Sequence, residues 1–140
     1  MLFRSPTGFD NSCRAAGPIE PPDNMSFEAY IKKALVDELK MGGVYEGISP
    51  TTLLTGSVEH LSFSSMQGVA GTSGEWHIQL LINSSNGKSF LVSEHYEFES
   101  AFIADFGCKQ TADAYLPAVQ DLIGKLVTAA EFKLLLIESN

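Results

Sequence analysis

An α+β fold is what this sequence predicts: a two-layer sandwich, with an antiparallel sheet of three to four strands and two helices packed on one face. Three observations carry the prediction. Phe27, Ile31, Ala34, Leu35 and Leu39 recur at helical spacing. Trp76, Ile78, Leu80 and Ile82 alternate along one stretch, and Phe90, Val92, Tyr96 and Phe98 along the next, with Ser85-Asn86-Gly87 between them. A second helical stripe then follows at Leu116, Val119, Leu122, Ile123 and Leu126. With 140 residues, 44% of them hydrophobic, the chain suits one domain with one core. We read residues 1–24 as an extended Pro/Gly-rich segment and 26–137 as the α/β core of that single domain.

In chain order, Pro6, Pro18, Pro21 and Pro22 keep the first segment out of long helices and central strands. Leu2-Phe3-Arg4 can still supply a short edge strand. Ser26 is the expected N-cap of the first helix, Met25 can staple onto Tyr30, and Gly42-Gly43 stops the helix. Residues 51–63 are rich in β-branched and apolar side chains and read as a strand, with Gly56 marking a bulge or a close approach. Ser64–Gly74, with its glycines and serines, reads as a mobile loop.

Two hairpin registers are open to these rows. A two-residue Asn86-Gly87 turn pairs Ile78 with His95 and sends the two apolar rows to opposite faces. A three-residue Ser85-Asn86-Gly87 loop with Gly87 left-handed pairs Ile82 with Phe90 and Trp76 with Tyr96, so both rows are buried together. The bulged hairpin is the reading adopted. Residues 100–108 read as an apolar connection, and the second helix is placed from about Thr111 to Val127, or from nearer Pro117, because proline fits only a helix's first turn without cost. A short helix over Glu131–Ile137 completes the layout.

Composition narrows the function. Nine basic against seventeen acidic residues give a formal charge of −8. That disfavours nucleic acid, where phosphate neutralisation supplies most affinity, and anionic membrane surfaces. No apolar run is long enough to span a bilayer. Residues 1–6 have neither the basic nor the apolar region of a signal peptide. The expected compartment is therefore the periplasm or envelope if an export signal was removed, and otherwise the cytoplasm. Cys13 and Cys108 form no CxxC motif. They either pair, which closes a long loop for roughly 4–5 kcal/mol in the chain-entropy model, or remain two ordinary thiols.

Candidate chemistry gathers on the polar side of the hairpin. The bulged register sets His77 opposite His95 and Glu75 opposite Glu97, and cross-strand Cβ atoms lie about 4.5–5.5 Å apart. Such a patch can hold zinc or copper; His77 and His95 are the candidate metal ligands. His60 joins them only if its side of the preceding strand matches. Glu94 falls in the apolar row and needs a lysine or arginine from a helix. There is no GxSxG elbow and no phosphate loop, and Cys108 with a histidine lacks any local dyad signature. No catalytic residue and no cofactor is expected.

The run from Tyr30 through Ala34, Leu35 and Leu39 to Gly43 and Tyr45, followed by Leu53-Leu54-Thr55-Gly56-Ser57-Val58, resembles small bacterial envelope lipoprotein domains. These are similar in architecture to the TolB amino-terminal domain, and the likeness extends over residues 26–128. It implies a periplasmic, non-enzymatic module acting through protein–protein contacts, and it favours a Cys13–Cys108 disulfide. Exposed sheet edges add an expectation of a protein partner or self-association, a homodimer included.

Overall fold

The computed structural model describes residues 1–42 and 52–138 of the chain. Its elements are β1 (Leu2–Arg4), β2 (Ser12–Cys13), β3 (Gly17–Pro18), α1 (Phe27–Met41), β4 (Leu54–Gln67), β5 (Ser73–Ser84), β6 (Ser89–Glu99), α2 (Ala104–Thr128) and α3 (Ala130–Leu135). The main sheet runs β1-β4-β5-β6, and β2 and β3 form a separate small ribbon. The sheet is antiparallel apart from β1, which pairs in parallel with β4. The α+β sandwich is therefore the observed architecture.

The hairpin has the expected register, with Ile82 opposite Phe90 and Trp76 opposite Tyr96. Gly87 takes φ +90, the left-handed turn that a side chain would strain. One row therefore faces inward, and Trp76, Ile78, Leu80 and Ile82 are all essentially inaccessible. The helices cover that row. Trp76 Nε1 donates to Thr111 O at 2.8 Å, and its ring lies 4.9 Å from that of Tyr115 on α2 and 6.1 Å from that of Phe27 on α1. Ile31, Leu35 and Leu39 are the buried face of α1, which Ser26 caps by accepting from Ala29 N at 3.2 Å. The helix ends at Met41 with Gly42 as its cap; Gly43, Tyr45 and the start of the predicted 51–63 strand lie outside the described residues.

Three expectations are corrected. First, α2 begins at Ala104, not Thr111, and passes straight through Pro117. An interior proline costs about 3 kcal/mol, but the stripe from Cys108 through Thr111, Tyr115 and Val119 to Leu126 is buried and offsets it. Residues 104–108, read as connection, are its first turn. Second, Leu116 is 40% exposed, and the neighbouring Tyr115 fills the core in its place. Third, Ser64–Gly74 is no long loop. β4 runs on to Gln67 and β5 starts at Ser73, with Ser73 Oγ donating to Gln67 O at 3.0 Å.

Smaller details also bear on the site. At Gly56 a Cβ would lie 2.8 Å from the Phe3 ring, so this glycine marks a close approach. The β4 register shifts instead between Ser64 and Gln67 and, nearer the site, at a bulge between Val58 and His60. That bulge spends one extra residue and returns Leu61 to the core. The final helix, Ala130–Leu135, docks on the hairpin turn: Ser84 Oγ donates to Leu135 O at 2.7 Å, and Asn86 Nδ2 to Leu134 O at 2.9 Å.

Candidate functional site

With one row of β5 and β6 buried, the other row faces out. The structure brings both predicted ligands together there, His77 directly opposite His95 and Glu75 opposite Glu97. The two imidazole rings stack, with centroids 4.2 Å apart and planes 14° from parallel. Both rings turn an Nε2 towards Glu75. His77 Nε2 lies 3.2 Å from Oε1, and His95 Nε2 lies 2.5 Å from Oε2. Gln67 Nε2 donates to the same Oε1 at 2.6 Å. The His95 hydrogen bond, with smaller help from Gln67 and His77, holds the Glu75 carboxyl below its usual value against the opposing effect of burial.

One ligand atom each from Glu75, His77 and His95 falls within 4.8 Å of the other two. Glu97 stands further off, 3.7 Å from His95 Nε2, and is well exposed. His60 is on the matching side. The Val58/His60 bulge turns it outward, where it meets Ser62 Oγ at 2.9 Å, and Ser62 is the strand partner of His77. His60, Gln79 and Ser93 line a shallow hollow beside the two rings. Nothing in the sequence marks Gln67 for this site, because its Gly- and Ser-rich stretch reads as a loop. Glu94 has the partner its position demanded: Lys125 Nζ lies 2.5 Å from its Oε1, and the carboxyl is buried.

A second feature lies at the end of the sheet where β4 turns into β5 and α2 begins. Cys13 and Cys108 are bonded, with Cα atoms 6.0 Å apart. A bonded Cys108 has no thiolate to offer, which removes it as a dyad nucleophile. Next to the bond, Arg14 takes φ 47, unusual for a residue with a side chain. Its guanidinium is satisfied from three directions: Nε donates to Ser65 Oγ at 2.8 Å, Nη1 to Phe102 O at 2.6 Å, and Nη2 to Ala101 O at 3.1 Å and to Ser65 O. Ser65, buried at the end of β4, and the 100–102 corner are thereby tied to the N-terminal segment.

Met66, Val69, Phe102, Ile103 and Phe106 are all exposed, Phe102, Ile103 and Phe106 by more than 60% each. The side chains of Met66 and Phe102 both close on Gly71. Phe102 lies just before the N-cap Ile103, and Phe106 lies in the first turn of α2. In the sequence these aromatics read as part of an apolar connection. The Phe-Ile-x-x-Phe spacing was the available signal, but it does not say which way the turn faces.

No helix among the described residues is long and apolar enough to cross a membrane. No protein-family model and no curated protein matches the chain. Among solved structures, the chain is similar to a candidate lipoprotein of Caulobacter crescentus, at 18% identity over 79% of this chain and 92% of that one, with a TM-score of 0.37.

Proposed function

We propose that this chain is a non-enzymatic binding module of an oxidising compartment, the bacterial cell envelope, and that it docks a partner protein on its apolar end. The observation that carries the reading is a set of exposed apolar side chains at the β4–β5 turn and just before and within the first turn of α2, where Met66 and Phe102 meet over Gly71 and Ile103 and Phe106 follow in sequence. Clustered apolar side chains on a protein surface mark interaction sites, whereas single ones need no explanation. Aromatic residues and methionine are also the types enriched where proteins meet. The Arg14 clamp beneath holds the backbone of Phe102 in place, so little ordering entropy opposes docking.

The Cys13–Cys108 bond supports the compartment, because structural disulfides persist where thiols are not kept reduced. The lipoprotein-domain resemblance of residues 26–128 points the same way. Charge selects the partner. Glu99 and Asp105 are exposed beside the cluster, and the chain carries −8 overall. A second copy would bring the same sign to the interface, so the fitting occupant is a different protein with an apolar pocket and a basic rim.

Site-specific photocrosslinking in the source cell tests this. A photoreactive residue at Phe102 or Phe106 should trap one discrete heterologous adduct, and the same residue at Leu91, exposed on the outer face of β6, should not. An adduct of twice the chain's own mass would put a second copy on the cluster and overturn the reading. So would the absence of any adduct specific to positions 102 and 106.

A further inference from the structure

We infer that Glu75, His77 and His95 form a surface site for a divalent late-transition-metal ion of the zinc and copper class. The proposal is independent of the docking reading, since it rests on the outer face of the β5–β6 hairpin and not on the apolar end.

The donor set comes first. Two imidazole nitrogens and one carboxylate suit borderline ions such as Zn²⁺ and Cu²⁺, whereas Ca²⁺ and Mg²⁺ require oxygen donors. Geometry comes second. Three ligands around a tetrahedral Zn²⁺ sit about 3.3 Å from one another, given bonds of about 2.0–2.1 Å. Here the His77 and His95 Nε2 atoms lie 3.2 and 2.5 Å from the two oxygens of Glu75, and all three ligand atoms lie within 4.8 Å. The adjustment to metal geometry is a tilt of two half-exposed rings on a rigid hairpin.

Preorganisation is the third consideration. Rigid strands fix the backbones, the His77 and His95 rings stack at 4.2 Å, and Gln67 anchors Glu75 from the β4 side. That last contact is the kind of outer partner that orients a metal-binding carboxylate. A bound ion takes the place of the protons lying between the two Nε2 atoms and the carboxylate. Each neutral imidazole then carries its proton on Nδ1. The fourth coordination position faces solvent, because the side chains of His77 and His95 are 42% and 47% exposed. It is open to water or to a ligand brought by another molecule, which is the arrangement of an exchangeable site.

The test is calorimetric titration of the full chain, without a histidine tag, with its disulfide intact and stripped by chelator. ZnCl₂ and CuCl₂ are titrated separately near neutral pH, with CaCl₂ as the hard-cation control. The expected result is one Zn²⁺ or Cu²⁺ per chain and no uptake of Ca²⁺. H77A, H95A and E75Q should each weaken binding about tenfold or more, equivalent to about 1.4 kcal/mol. The two histidines are half-exposed and E75Q keeps the shape of the partly buried Glu75, so the variants should fold, and the fluorescence of the buried Trp76 checks that they do. The proposal is overturned by absence of saturable uptake, or by Ca²⁺ binding as well as Zn²⁺. Uptake that survives in the H77A/H95A double variant and is lost in H60A overturns it too.

Discussion

Gly107 shows how much one hydrogen atom can decide at the residue scale. It lies in the first turn of α2, where alanine would normally be the better helix former by about 1 kcal/mol. A Cβ there, however, would sit 2.4 Å from Ala101 O, 2.7 Å from Arg14 Nη2 and 2.9 Å from Ser100 Oγ. The carbonyl belongs to the corner that Arg14 fixes, so the nearest atom is backbone and cannot swing away. Overpacking of this kind costs about 1–3 kcal/mol, which outweighs the gain in propensity. Gly107→Ala should therefore destabilise the fold by about 1 kcal/mol net, and by up to about 2 if the corner does not yield. Gly124 is the internal control. It lies in the same helix with nothing within 4 Å of a new Cβ, so Gly124→Ala should stabilise by up to about 1 kcal/mol. Urea denaturation of the two variants checks the contrast, and equal shifts of the same sign would defeat the steric account.

Elements differ in how much of their geometry local chemistry dictates, and β4 tests that directly. Its bulge places Glu59 and His60 both on the outside and then returns Leu61 inward. Removing Glu59 would restore plain alternation, with Val58 and Leu61 still facing the core. Removing Ser62 would instead flip Phe63 outward, away from its ring contact with Trp76 at 4.9 Å. Deletion of Glu59 should thus cost less than about 1 kcal/mol, and deletion of Ser62 more than about 3 kcal/mol. Thermal melts of the two deletions provide the measurement, and comparable losses would refute the register argument. The β5–β6 hairpin was legible in the sequence because two apolar rows and Asn86-Gly87 admit only one register that buries both. The facing pair His77 and His95 came with that register. The bulge in β4 was only half legible: the apolar phase changes between Val58 and Leu61, but Gly56 offered a second place for the irregularity, and only the pairing with β5 locates it. The start of α2 was misjudged at Pro117, where a local penalty was weighed without the long-range burial that offsets it.

For the whole molecule, the decisive contacts join segments far apart in sequence. The apolar end is assembled from the Arg14 corner, the end of β4 and the start of α2, so no local pattern could announce it. Cys13–Cys108 is the covalent form of the same connection, spanning 95 positions. In the chain-entropy model a closure of this length restricts the unfolded ensemble by about 4–5 kcal/mol. The folded segment is held by other means as well: Ile19 is buried, and Phe9 packs against Phe27 at 4.9 Å and Phe63 at 6.2 Å. Reduction should therefore leave the native packing intact at low denaturant while lowering the free energy of unfolding by several kcal/mol. The reduced chain should also unfold with a steeper denaturant dependence, because its unfolded state exposes more surface once the cross-link is gone. Trp76, the single tryptophan, is fully buried among Phe27, Phe63 and Tyr115, so its fluorescence reports the transition. Urea titrations of the oxidised protein and of a C13S/C108S variant should show an unchanged native baseline, an earlier midpoint and a larger slope for the variant. A native baseline already shifted in the variant would instead make the bond a requirement for packing the N-terminal segment. In that case the apolar end would depend on the redox state of its compartment.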